Sequence, residues 1–464
     1  MKRIAKLNPL EWLVYALFTL LTWPILFRDG MFMDAIQYTA VAKNLSEGFG
    51  TFWFPQLSYC SIGGLKAFHE HPPLVFGIES LFFKLLGPGI FTERFYTALV
   101  GLITLLLIRA IWRKACPKEW QDMSYLPMLL WILVIEVSWS FQNNMQENTM
   151  GVFVLLSVYS YLCSNKFWGL FFGALFVMAA FLCKGLPGLF PLAFPFLWVV
   201  LNERKSIAKG LLASGFMIIL FVFFIGLLLL LPEAKLSLGA YFFERVLHRI
   251  TQDPVVTSRF YILWKWLQDF SIVIAFVSLV LIFKRKEISS NKLLHADFWL
   301  WISFGFCGVV PMLLTLVQRG FYMVPAFPFF AIAFAMLLCP LLMKTNFLKL
   351  WSLQMQWGLV LLIFIISVVA SYFNYGKIWR ERDAMCLEKE FGPLIPKGEL
   401  VGADAILWDN WTFQTSLMRY HGISIISNDP SRRYYLDAPG GMLLPTDYDT
   451  LYTSKSGVRL LQKK

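Results

Sequence analysis

Charge is scarce in this sequence. Only 15% of its 464 residues are Asp, Glu, Lys or Arg, against about a quarter in a soluble protein, so most of the chain is not written for water. Histidine is rarer still, with 5 residues. The 7 cysteines, Cys60, Cys116, Cys163, Cys183, Cys307, Cys339 and Cys386, have no metal-ligand or redox spacing. They read as small buried hydrophobes, with neither a zinc site nor a disulfide framework expected. No internal repeat is visible, which counts against a transporter built from duplicated halves. No small-residue cleavage site follows the first apolar run at 12–27, so that run reads as a retained span and not a signal peptide.

What fills the chain is apolar. Hydrophobic residues make up 58% and aromatics 17%, with 45 Phe and 18 Trp, a composition suited to lipid-facing helices with rings at headgroup level. A span needs about 20 mostly apolar residues, and on that basis there are about eleven candidates, at 11–27, 91–112, 125–141, 149–163, 167–183, 186–201, 208–231, 262–283, 297–317, 321–343 and 353–373. The net charge of +12 lies mostly in short gaps between these runs and is not gathered on a soluble domain, so it reads as membrane anchoring and not as a nucleic-acid footprint. With the N-terminus in the cytoplasm, every cytoplasmic segment is basic. They hold Lys2, Arg3 and Lys6; Arg109, Arg113, Lys114 and Lys118; Lys166; Arg204, Lys205 and Lys209; Lys284, Arg285, Lys286 and Lys292; and Lys344 and Lys349. The opposite side carries a long loop at 28–90, loops at 142–148, 232–261 and 318–320, and a tail from 374. The tail mixes strand-like runs (399–401, 423–426) with helix-like ones (378–391, 412–420). The expected architecture is a polytopic α-helical membrane domain over 1–373 and a small extracytoplasmic α/β domain over 374–464.

The side with the larger loops also holds the reactive residues. Over 32–47 the pattern is an amphipathic helix for the membrane surface, with Met33, Ile36 and Ala40 on one face and Asp34, Gln37 and Tyr38 on another. Asp34 sits in its first turn, where the helix dipole favours a carboxylate; a general base and a simple capping residue are both consistent with that position. His69-Glu70-His71-Pro72-Pro73 opens a helix. Its two His at i, i+2 do not share a helical face, so no cofactor is required, and a divalent metal beside Glu70 and His71 is the only one these residues bring to mind. Glu147 stands where a span begins, in the polar run 142–149. Lys184, Arg245, His248, Arg249 and Arg319 are outer-side cations that run against the orientation rule. Cations at a membrane edge are paired, functional or snorkelled to headgroups, and a phosphate is their natural partner.

The motifs "NLSEGFGTFWFP", "FHEHPPLVFG", "TERFY", "NNMQENT", "CKGLPGLFP" and "QRGFYMVPAFP", in this order and on this side, resemble the membrane glycosyltransferases of the protein O-mannosyltransferase and lipid A aminoarabinose transferase type, in the GT-C fold class. The resemblance spans about residues 1–345. It implies that Asp34 takes the proton from the acceptor hydroxyl. Glu70 lies beside the donor, with His71 where a Lys is commoner. Glu147 matches the acidic residue of the second outer loop, and Lys184 the Lys-Gly that meets the donor phosphate. Arg319 and Tyr322 match the basic residue and Tyr at the start of the penultimate span, and Arg245 and Arg249 are looser matches. The chain departs from the pattern at Ala35, where many relatives carry a second acidic residue, in a second loop without the Arg-x-Asp form, and in a short third outer loop.

The expected activity is an inverting transfer of a sugar from a polyprenyl-phosphate donor to an acceptor hydroxyl at the extracytoplasmic face of a bacterial inner membrane. A phosphate is already a good leaving group, so the chemistry asks for a base on the acceptor and cations on the departing charge. Asp34, Glu70, Glu147, Lys184 and Arg319 are expected to share one cavity. The alternatives are a flippase or transporter of lipid-linked sugars, which would place ionisable residues in mid-span, and an oligosaccharide ligase or polymerase. The acceptor, whether protein, lipid A or glycan, is left open.

Overall fold

The computed structural model describes residues 8–60, 67–247, 254–285, 296–343, 352–441 and 447–464. The chain divides into two compact units, Met1–Ile25 with Thr97–Phe373, and Leu26–Tyr96 with Asn374–Lys464. The helices run α1 (Pro9–Leu26), α2 (Met33–Ser46), α3 (Leu74–Leu86), α4 (Phe91–Ala115), α5 (Tyr125–Ile132), α6 (Ile135–Gln142), α7 (Gln146–Cys163) and α8 (Lys166–Lys184). After the mixed apolar segment Leu186–Asn202 come α9 (Ile207–Leu228), α10 (Tyr261–Asp269), α11 (Ser271–Phe283), α12 (Ala296–Cys307), α13 (Phe327–Leu342) and α14 (Leu353–Asn374).

Each expected apolar run is helical over most of its length, because in hydrocarbon a backbone must satisfy its own polar groups; the run at 297–317 leaves the α-helix after Cys307 and is irregular by Thr315. Among the described residues, seven helices are long and apolar enough to cross a membrane, or nine if each bent pair counts as one span, fewer than the eleven expected. The difference has local causes. The run at 125–141 breaks into α5 and α6, bent by 75°, and the run at 262–283 into α10 and α11, bent by 60°. Leu186–Asn202 is short, and α7 opens on the polar Gln146-Glu147-Asn148. The chain is an integral membrane protein.

The second unit takes both the first outer loop and the tail. The expected helix forms as α2, but it does not turn a polar face outward: Ala35 through Asn44 are all buried, because α3 and the tail helix α16 (Trp411–His421) pack on it. Its polar groups are bonded inside. The Thr39 hydroxyl donates to Ala35 O at 2.8 Å, and the Asn44 amide donates to Gln56 O at 3.0 Å and Leu57 O at 3.1 Å. Burial pushes the Lys43 ammonium down from its ordinary pKa, against the pull of Glu47 at 3.6 Å. The tail itself is α/β, with α15 (Arg382–Phe391) and α16 packed on a five-stranded sheet, order β2-β1-β3-β5-β4. Strands β1 (Leu400–Ala403), β2 (Ser424–Ser427) and β3 (Tyr434–Asp437) are parallel; β5 (Arg459–Lys463) runs antiparallel to β3, and β4 (Tyr448–Thr453) pairs antiparallel with β5 at the edge.

Charges tie the loop to the tail. Arg419 of α16 is buried and donates to Pro88 O (2.9 Å), Gly89 O (3.1 Å) and the Glu93 carboxylate (2.6 Å), itself buried. Asp29 accepts from Arg94 at 3.2 Å and from Lys389 at 2.5 Å, while its backbone bonds Lys377 O and Trp379 N. Gly30, at φ 84°, lies so close to the Arg380 carbonyl that any Cβ would collide with it. Removing one partner of a buried pair strands the other charge. Arg419→Ala is therefore expected to destabilise this unit by about 3–5 kcal/mol, read as a lower thermal midpoint and faster limited proteolysis of the tail. Wild-type protection in Arg419→Ala would show the pair to be unimportant.

Candidate active site

The site in the first unit starts from two helices of nearly equal length. α7 has 18 residues and α8 has 19, and only Ser164 and Asn165 lie between them. They pack as an antiparallel hairpin, so the first turn of α7 and the last of α8 stand at one level. Glu147 and Lys184 occupy those turns. The Lys184 ammonium is 2.5 Å from the Glu147 carboxylate, and both side chains are buried. The start of α7 is pinned to α6. Ser140 donates through its hydroxyl to Asn148 Oδ1 at 2.7 Å, and the Asn148 amide donates back to Ser140 O at 3.0 Å. Asn144 makes the intervening turn in the left-handed region, at φ 47°, a conformation that Asn tolerates.

The end of α8 is fixed as closely. Gly185 turns the chain at φ 86°, and a Cβ there would overlap the Tyr241 phenol. The Tyr241 hydroxyl donates to Lys184 O at 3.2 Å. The Lys-Gly pair is thus a cation followed by the one residue type its turn admits. Two rings complete the surroundings of Lys184: its ammonium lies 5.0 Å from the Tyr322 ring centre and 5.5 Å from that of Phe321, and Phe321 stacks on Trp139 at 5.5 Å. A carboxylate and two ring faces stabilise the ammonium where water is excluded.

The segment that brings Tyr322 there is held by Gln318, which is buried. Its carbonyl accepts from Ile262 N at 2.9 Å, and its amide donates to Arg259 O, Met312 O and Thr315 O. The next residue, Arg319, is exposed and has no carboxylate partner among the described residues. Gly320 follows, packed against Lys265; a Cβ would meet that side chain at 2.5 Å and Glu136 at 3.2 Å. The Lys265 ammonium bridges Glu136 (2.8 Å) and Asp269 (2.6 Å), one from each bent pair of helices. Sequence reading missed this cluster. Its signal was the charges inside apolar runs, which are costly unless they meet.

The other candidates are carried by other segments of the chain. Asp34, Glu70 and His71 belong to the second unit. Asp34 is half-buried in the first turn of α2, and Phe32, not Asp34, is the N-cap. His71 is buried, with Nε2 3.0 Å from the Tyr38 hydroxyl, a partner not anticipated from the sequence. Glu70 is half-buried. Among the described residues no three His, Cys, Asp or Glu side chains gather as a metal-binding set. Arg245 is half-buried in the π-helical turn Tyr241–Val246. Arg249 and His248 lie outside the described residues.

Residues 70–228, which hold Glu70, His71, Glu147 and Lys184, match the family model of dolichyl-phosphate-mannose-protein mannosyltransferases. No curated protein matches the chain. Among solved structures, ArnT from Cupriavidus metallidurans bound to undecaprenyl phosphate is similar with a TM-score of 0.63 and 13% identity, over 97% of this chain and 96% of that one. The Archaeoglobus fulgidus oligosaccharyltransferase in its apo form reaches 0.54 at 12% identity, over 93% of this chain and 66% of that one. Archaeal oligosaccharyltransferase AglB from Archaeoglobus fulgidus, in complex with an inhibitory peptide and a dolichol-phosphate, reaches 0.52 at 10% identity, over 92% and 69%. The fold is the GT-C fold of ArnT, and the resemblance read from the motifs is carried by both the family match and the architecture.

The ion pair sets a stability test. Lys184→Ala or Glu147→Ala alone strands a buried charge, at a cost of about 3–5 kcal/mol. The double variant Lys184→Met/Glu147→Gln leaves no charge and is expected to recover much of that loss. Thermal melts of the detergent-purified variants measure it; a double variant as unstable as the two single losses combined would rule out the coupling.

Proposed function

We propose that this chain transfers a sugar from a polyprenyl-phosphate-linked donor to an acceptor hydroxyl at the extracytoplasmic face of a bacterial inner membrane, with inversion at the anomeric carbon. The observation that carries the reading is the buried Lys184, held by Glu147 beneath Tyr322 inside the stretch that matches the mannosyltransferase model. Lipid phosphates bound to similarly folded proteins, undecaprenyl phosphate on ArnT and a dolichol-phosphate on AglB, support that donor class. The basic segments on one side of the spans support the orientation.

The roles follow from charge. The donor phosphate gains negative charge as the sugar leaves, and the site must stabilise that change. Lys184 is positioned for this, but Glu147 already offsets its charge. Arg319, exposed and without a carboxylate partner among the described residues, supplies the additional cation, and its fork suits phosphate oxygens. Asp34 removes the proton from the acceptor hydroxyl. The acceptor oxygen bonds to the anomeric carbon as the bond from that carbon to the phosphate oxygen breaks, and the departing phosphate keeps the electron pair. One displacement through an oxocarbenium-like state inverts the centre, by analogy with glycoside chemistry. Glu70, His71 and Arg245 are assigned to donor or acceptor binding, and no metal is required.

Two experiments test this. In the first, Asp34→Asn is expected to leave folding intact, since Asp34 is half-buried and Asn keeps its size and shape, and to lower transfer by about 10²–10⁴-fold. Near-wild-type transfer by purified Asp34→Asn protein would remove Asp34 as the base. The donor comes from mass spectrometry of the carrier-linked sugar that accumulates in a deletion strain. In the second, transfer rate is measured against donor concentration. Arg319→Ala is expected to weaken donor use roughly ten- to a hundredfold, at about 1.5–3 kcal/mol for a charge-assisted contact, with Arg319→Lys recovering part. Unchanged donor dependence would return Arg319 to ordinary anchoring and strengthen the flippase alternative.

A further inference from the structure

A second feature of the membrane unit lies at the far end of α8. Lys166 opens that helix and Lys184 closes it, so the two ends stand about 27 Å apart at about 1.5 Å per residue. At the Lys166 end is a cavity of about 320 Å³, in which Lys166, Lys205 and Lys209 meet a single carboxylate, Glu203, over an apolar wall that includes Tyr161 and Leu170. Glu203 is shared: Lys205 is 2.5 Å from it and Lys166 is 3.4 Å. Lys209 has no carboxylate partner among the described residues. Three lysines against one glutamate leave an excess of positive charge in the cavity.

The surrounding backbone favours the same sign of ligand. Arg204 makes the turn between Glu203 and Lys205 in the left-handed region, at φ 52°, a costly conformation for a residue with a side chain. Ser206 is the N-cap of the 22-residue α9 and makes no side-chain cap hydrogen bond, so the positive end of that helix lies between Lys205 and Lys209 in the chain. Leu212 lines the cavity, and with Phe216 and Ile219 it continues as an exposed apolar stripe along α9.

We propose that this cavity is a binding site for an anionic phospholipid, at the opposite end of the helices from the Glu147–Lys184 pair. The phosphate of the headgroup sits among Lys166, Lys205 and Lys209 at the start of α9, and an acyl chain follows the Leu212–Phe216–Ile219 stripe. Charge complementarity selects the occupant: a zwitterionic lipid fits the stripe but leaves the excess positive charge unanswered. Lysines that only anchor the protein would hold any anionic surface without saturation. A built site saturates and depends on these three side chains. The inference does not depend on the transfer reaction proposed above.

The test uses the detergent-purified full chain, titrated with phosphatidylglycerol, with phosphatidylcholine of the same chains, and with inorganic phosphate. Thermal shift and lipid retention in native mass spectrometry are the readouts. Phosphatidylglycerol is expected to stabilise saturably and to be retained, and the other two are not. K166Q/K205Q/K209Q is expected to weaken phosphatidylglycerol binding by about tenfold or more. The charge-keeping K166R/K205R/K209R and the control R113Q/K114Q, at the end of α4 and outside the cavity, are expected to bind as wild type. Equal binding of the two lipids, an equal effect of inorganic phosphate, or unaltered phosphatidylglycerol binding by the glutamine variant would each overturn the proposal. So would equal losses in the glutamine variant and the α4 control.

Discussion

The arrangement in the membrane unit depends on one buried ion pair. A lysine at the end of an apolar helix cannot stay charged in a dry interior without a counter-charge, and a glutamate at the start of the neighbouring helix has the same need. Glu147 and Lys184 meet that need in each other at 2.5 Å. What surrounds them keeps the two charges together: the Ser140–Asn148 exchange fixes the start of α7, Gly185 and Tyr241 fix the end of α8, and the four bonds of Gln318 deliver Phe321 and Tyr322. A phosphate that approached Lys184 would meet a cation already oriented and already desolvated, which is the condition for strong electrostatic stabilisation of a leaving group.

A second set of charges organises the bends in the spans. Lys265 lies between Glu136, near the break of α5 and α6, and Asp269, at the break of α10 and α11. Each charge alone would be a defect in its apolar run. Together they satisfy one another, and the broken helices bring them within reach. Gly320 rests on Lys265 because any larger residue would displace it. The polar cluster therefore sits directly beneath the segment that carries Arg319 and Tyr322.

The other unit is joined by the same logic outside the spans. The first outer loop and the tail are far apart in sequence, yet they form one compact body through Arg419–Glu93, Asp29 with Arg94 and Lys389, and the packing of α16 on α2. The helix bearing Asp34 is consequently enclosed from Ala35 to Asn44 and does not float at an interface. A carboxylate in the first turn of such a helix is held by a packed scaffold, which suits a group whose position matters.

The sequence alone was sufficient for the apolar runs, because twenty residues without charge have few options besides a helix in lipid. It was sufficient for the α/β character of the tail: the strand-like runs 399–401 and 423–426 and the two helix-like runs lie within a few residues of β1, β2, α15 and α16, whereas β3, β4 and β5 were not read from it. It marked Glu147, Lys184, Gly185 and Tyr322 by their order and sidedness. The pairing of Glu147 with Lys184 was also within reach, since two helices of 18 and 19 residues joined by a short link must bring those ends level. What only the tertiary structure decided were contacts between segments with no local signal for each other. Arg419 reads as an ordinary helical cation until Glu93 is found beside it, 326 residues away. The bends at 133–134 and 270 carry no proline or glycine, so nothing in the pattern announced them. The burial of α2 was hidden for the same reason: its polar residues suggest a wet face, and only the arrival of α3 and α16 determines that their hydrogen bonds are made inside.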